Sequence, residues 1–204
     1  DKILAIYSYI KLLLGVGLFW LVINANYDRI KLLAIFLAGI FLQAVLGIWQ
    51  FMTQSSVVSK WLGIAAHRAE DLGVSVVEVY KVGQFPERWL RAYGGMDHPN
   101  MLGGVLAVSI LILVFNRIYS GQFFIFKFLN NFLFSKFLNI FTFYFLLSTF
   151  VASLFFTFSR GAWAGLLVGI SAMLVTAVWL KNKEAQKGLL KIIFISSLLI
   201  FALF

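Results

Sequence analysis

The chain has 204 residues, 62% of them hydrophobic and 12% charged, with a mean hydropathy of +0.95; a water-soluble domain of this length needs far more polar surface. The net charge of +9 does not mark a nucleic-acid binder. The basic residues form no single patch, and most flank apolar runs, where the positive-inside rule accounts for them. With no cysteine, neither a disulfide nor a thiolate metal site can form.

Apolar runs of about 18 residues or more recur, each long enough to cross the hydrocarbon core as a helix that satisfies its own backbone. Runs such as Leu32 to Leu42 are apolar on every side and lack the period-two alternation of transmembrane strands. The expected fold class is all-α, a polytopic transmembrane helix bundle of about six spans. The spans are placed at 4–23, 32–51, 99–115, 140–158, 161–180 and 189–204, within one transmembrane domain over 1–204. The first residue is Asp1, Lys11 interrupts the first run, and the last run is still apolar at Phe204. The expectation is therefore a fragment of a longer chain.

Loop charge gives the spans a direction. Arg29 and Lys31 separate the first two spans, Arg117, Lys127 and Lys136 the third and fourth, and Lys181, Lys183, Lys187 and Lys191 surround the fifth-to-sixth connection. Against these nine basic residues stand two acidic ones, Asp28 and Glu184, so these connections are expected on the cytoplasmic side. The connection from Met52 to His98 balances five basic residues against five acidic ones, as expected of an extracytoplasmic loop. A short helix is expected in it around Trp61 to Ala69, an extended stretch from Val74 to Val82, and a turn at Gly83-Gln84-Phe85-Pro86. Between Gln122 and Asn139, the polar residues Lys127, Asn131, Ser135 and Asn139 recur every four positions. That stripe reads as a cytoplasmic interfacial helix lying in the membrane plane. The competing reading is a longer start of the fourth span.

Two stretches carry candidate chemistry. The outer loop ends in Arg91-Ala92-Tyr93-Gly94-Gly95-Met96-Asp97-His98-Pro99-Asn100. Gly94-Gly95 permits a tight turn, and Pro99 suits a first helical position, where its missing N–H costs nothing. The third span therefore starts here, with its free N–H groups facing outward. The second stretch is Thr157-Phe158-Ser159-Arg160-Gly161-Ala162. The apolar length from Ile140 to Leu180 fits two crossings, so the chain reverses at Arg160, and Ser159 is a good N-cap. Two helix starts and two arginines thus share one membrane face, an arrangement suited to a doubly charged anion such as a diphosphate. Gly161, Gly165 and Gly169 at four-residue spacing favour close packing of the fifth span. More ordinary roles compete. An interfacial arginine such as Arg160 or Arg88 can snorkel to lipid headgroups, His98 and Asp97 read on chemistry alone as helix caps, and His67 reads as a loop residue. The only histidines, His67 and His98, lie far apart, so no metal-ligand spacing is present.

At these residues the sequence resembles the O-antigen ligase and O-antigen polymerase superfamily of bacterial membrane glycosyltransferases. The resemblance rests on Arg91-Ala92-Tyr93-Gly94-Gly95 followed by His98-Pro99-Asn100, and on Ser159-Arg160-Gly161-Ala162-Trp163. It also rests on the pattern from Leu42-Gln43-Ala44 to Gly47-Ile48-Trp49-Gln50 that ends the second span. It covers the chain from about Leu32 to Leu180. The resemblance implies a multi-pass protein of the bacterial cytoplasmic membrane. Such a protein transfers a glycan from undecaprenyl diphosphate to a lipid-core, glycan or protein acceptor on the outer face, with no metal or cofactor. It implies that Arg91 and Arg160 engage the diphosphate, within a substrate site that also takes in Gly95, His98, Asn100 and Ser159. It further implies a catalytic base in an external loop beyond the last span here, so neither His67 nor His98 takes that role. A transporter or flippase of anionic lipid or polysaccharide is the alternative. It would favour charges near the bilayer midplane, whereas these arginines are expected at one surface. In a non-catalytic scaffold, the arginines would be anchors only.

Overall fold

The computed structural model describes residues 2–24, 28–56, 58–59, 64–80, 86–119 and 132–202. Among these, six helices carry the fold: α1 (Lys2–Asn24), α2 (Arg29–Thr53), α3 (Pro99–Tyr119), α4 (Phe132–Phe156), α5 (Arg160–Trp179) and α6 (Lys183–Ala202). The first five are long and apolar enough to cross a membrane. The all-α membrane-helix architecture expected from composition is thus the one observed. The chain divides into two units, Asp1–Ile35 and Phe36–Phe204. In the first unit α1 has apolar residues on every side, interrupted by Lys11, and its described side chains are almost all exposed. That is the pattern of a helix whose partner is hydrocarbon rather than a protein core.

In the second unit α3 is central and packs against α4, α5 and α6. Leu102, Leu106 and Leu113 of α3 meet a core that includes Phe143, Phe150 and Leu154 of α4, all fully buried. The close approach of α3 to α5 depends on glycine. A Cβ on Gly103 would lie 2.8 Å from Ser159 Cβ and 3.1 Å from Ala162 Cβ, and one on Gly169 would collide with the Leu111 side chain. Small residues let helix backbones approach where no hydrophobic drive separates protein from lipid. On its outer side α5 exposes Leu167, Val168 and Val175, a surface suited to lipid.

Two features differ from expectation. Residues 132–139, placed by their polar stripe in an interfacial helix, are the first turns of α4 and continuous with the fourth span. Their apolar neighbours extend the span's own hydrophobic run; the rest of the stripe lies outside the described residues. The helix expected around Trp61 to Ala69 is also not there in its described part. Ile64 exchanges two backbone hydrogen bonds with Ser59 (3.0 and 3.2 Å), and Arg68 bridges Ser55. Cross-chain pairing has replaced local helical pairing. The extended stretch is present as β1 (Val76–Val79), which pairs antiparallel with β2 (Glu87–Leu90) in register Val76↔Leu90 to Val79↔Glu87. Gly83, Gln84 and Phe85 of the expected turn lie outside the described residues.

Candidate functional site

The site is built on the segment that follows β2. Its anchor is a pair of glutamines two turns apart on α2. Gln50 is fully buried. Its Oε1 accepts from the N–H of Tyr93 (3.1 Å) and of Gly94 (2.8 Å), and its Nε2 donates to the Gly94 carbonyl (2.7 Å). Gln43 Oε1 accepts from Gly95 N–H at 2.6 Å. Gly47, between them, is packed so closely that a Cβ would stand 3.0 Å from Leu102 and 3.2 Å from Ser153 Oγ. Residues at i, i+4 and i+7 share one helix face, and here that face holds the loop. Gly94 has φ +60°, a left-handed conformation that favours glycine.

Arg91 leaves this braced segment half-buried. Its Nε donates to the Thr157 carbonyl (2.7 Å), Nη1 to Ser75 Oγ (2.9 Å) and Nη2 to Asn100 Oδ1 (2.8 Å). All three acceptors are neutral. Three of the five guanidinium donors are thereby engaged, and no carboxylate pairs with Arg91 among the described residues. Burial pulls its pKa below the ordinary value, with Tyr93 opposing, yet an arginine stays charged at neutral pH.

The second start is shaped by the turn between α4 and α5. Thr157 Oγ1 donates to the Leu154 carbonyl (2.6 Å) and accepts from Ser159 N–H (3.3 Å). Phe158 takes φ +49°, rare for a bulky residue. Its ring lies 5.9 Å from that of Phe51 and 5.6 Å from that of Phe155. Ser159 is the N-cap, its side chain accepting from Ala162 N–H at 3.4 Å. The N–H groups of Arg160 and Gly161 have no partner among the described residues, and neither does the exposed Arg160 side chain.

These two starts border one groove of about 540 Å3. Arg91, Asn100, Ser159 and Arg160 form its polar end; Gly104, Ala107, Val108, Leu111 and Gly165 are among the residues of its apolar wall. The α3 residues step down one helix face for about 16 Å from Asn100 to Leu111. Among the described residues, no acidic side chain lines the groove. Gly161 and Gly165 have no neighbour within 4 Å of an added Cβ. Of the three glycines expected to pack α5 closely, only Gly169 does so; the other two keep the groove open.

Arg91, Asn100, Ser159 and Arg160 are therefore brought to one groove, whereas His98 and Gly95 are not among the residues that line it. His98 Nδ1 accepts from Asn100 N–H at 3.2 Å, the bond of a helix cap. Gly95 is pressed against Gln43, which a Cβ would meet at 3.0 Å. His67 stacks on Tyr93 with centroids 4.1 Å apart, and Tyr93 Oη accepts from Ser75 N–H at 2.6 Å. Sequence reasoning missed Ser75, Gln43 and Gln50 as supports of Arg91. Both glutamines lie in the pattern that ends the second span, and only their polarity inside an apolar run hints at partners. No family model matches the chain, and neither a curated protein nor a solved structure matches it.

Proposed function

We propose that the groove binds the diphosphate and adjoining prenyl units of a lipid-linked glycan, and that the chain belongs to a membrane glycosyltransferase of O-antigen ligase or polymerase type. One observation carries the reading. Two arginines without an acidic partner among the described residues stand at the polar end of a groove whose wall is apolar and runs along helices long and apolar enough to span a membrane. A half-buried charge held only by neutral acceptors favours an anion, and a helix start with free N–H groups adds to that field. The apolar wall suits a lipid tail, so the ligand is an anionic amphiphile rather than a free phosphate.

In the proposed reaction an acceptor hydroxyl attacks the anomeric carbon of the glycan. The bond from that carbon to the diphosphate oxygen breaks, and negative charge develops on the departing diphosphate. Arg91 and Arg160 stabilise that charge. The hydroxyl proton passes to a base that the family resemblance assigns to an external loop beyond these helices. Loop charge supports a site on the outer face of the membrane, and the family resemblance implies that the membrane is the bacterial cytoplasmic one. The acceptor would be a lipid core, a glycan or a protein. In the full-length protein, Arg91→Ala and Arg160→Ala are expected to abolish transfer while expression persists. Lysine at either position is expected to fail as well, because it lacks the planar fork. Normal glycan transfer by both alanine variants would refute the assignment, and full rescue by lysine would reduce the arginines to anchors.

A further inference from the structure

A second pocket of about 540 Å3 opens on the loop, lined by residues that include Gln54, Arg68, Glu70, Glu87, Arg88 and Trp89. We propose that it is the subsite for the glycan that the lipid diphosphate carries; this rests on the diphosphate reading above. The first argument is composition. Among the described residues, two arginines and two glutamates line the pocket and their charges cancel, unlike those of the groove. An amide and a half-buried indole join them. Opposed donors and acceptors around an aromatic ring suit a neutral, hydroxyl-rich ligand, whose hydroxyls both donate and accept while its C–H faces lie on the ring.

The second argument is availability. Arg68 and Glu70 are exposed and have no side-chain partner among the described residues, although they line the same pocket. The wall behind them is held in place. Arg88 donates to the carbonyls of Glu70 (3.3 Å) and Asp71 (3.4 Å), and Trp89 Nε1 donates to Glu87 Oε2 (3.3 Å). Gln54 Oε1 accepts from Leu90 N–H at 2.6 Å. The volume falls in the range of about 300–1,000 Å3 typical of small-ligand sites.

The third argument is position. Strand β2 runs from this pocket directly into Arg91. The Phe51 ring stands 5.8 Å from Trp89 and 5.9 Å from Phe158, which lines the groove. One aromatic ring therefore separates the two pockets, and a glycan bonded to a diphosphate at Arg91 and Arg160 extends toward Trp89.

The test uses the full-length protein in nanodiscs and two probes: undecaprenyl diphosphate, and undecaprenyl-diphosphate-linked oligosaccharide extracted from the cells that make the protein. Trp89→Ala is the direct variant. Because Trp89 touches Phe51, an Arg68→Ala/Glu70→Gln double variant, at exposed positions whose side chains have no partner among the described residues, guards against misfolding. Both are expected to weaken the glycan-bearing lipid about tenfold or more, a loss of about 1.4 kcal/mol, and to leave undecaprenyl diphosphate unchanged. Equal weakening of both lipids, or of neither, overturns the subsite while the diphosphate reading stands. Failure of the wild type to bind undecaprenyl diphosphate overturns that reading and the subsite with it.

Discussion

Replacing Gln50 with leucine removes three hydrogen bonds in one step while keeping much of the side chain's bulk. The groups left behind are the N–H of Tyr93 and both the N–H and the carbonyl of Gly94, in residues that are buried. A buried polar group without a partner costs about 1–3 kcal/mol. Three groups set a ceiling of several kcal/mol, and water entering the opened loop lowers it, so a net loss of about 3 kcal/mol is expected. The loss is local. Ala92 N–H still bonds the Phe156 carbonyl at 2.9 Å, and Gln43 still holds Gly95. Hydrogen exchange measured by mass spectrometry on peptides covering residues 90–97 reads this directly. At about 1.4 kcal/mol per tenfold, the Tyr93 and Gly94 amides should exchange about 100-fold faster, with the Gly95 amide affected less and the spans unchanged. Affinity for undecaprenyl diphosphate should fall with the loosened Arg91 segment. Unaltered exchange at both amides would refute the claim that Gln50 braces the loop.

The groove itself is tested by Gly165→Leu. No atom lies within 4 Å of an added Cβ there, and leucine raises helix propensity by about 0.8 kcal/mol over glycine. The protein should stay folded while binding of undecaprenyl diphosphate drops about tenfold or more; undiminished binding would show that the lipid lies elsewhere. The loop should respond to acid through His67. Its pKa is lowered from 6.5, chiefly by burial, with Asp97 and Asp71 opposing. Below pH 6.5 the unfolded loop therefore binds more protons than the folded one, and loop stability falls as pH drops toward the folded pKa. His67→Phe keeps a ring on Tyr93 and should abolish that slope in a pH series of exchange at residues 64–69; an unchanged slope would clear His67 of the effect.

Helix placement was legible because hydropathy and length act locally. The starts of α3 at Pro99 and α5 at Arg160 were read to within a residue from proline and a serine cap. What stayed hidden depends on partners distant in the chain. Gln50 finds its partners 43 and 44 residues downstream, and no spacing rule links them. The glycine repeat in α5 suggested one packing face, but the closest approach to the α5 start falls to Gly103, on the opposite helix. Nor could spacing show that the two arginines border one groove. Two hydrogen bonds tie the first to the turn that carries the second. Arg91 Nε and Ala92 N–H bond the carbonyls of Thr157 and Phe156, in the turn that sets the Ser159 cap. The segment before α3 and the turn before α5 are thus one hydrogen-bonded body. It follows that a change at Thr157 or Phe158 acts on Arg91 as well as on Arg160, although it replaces neither.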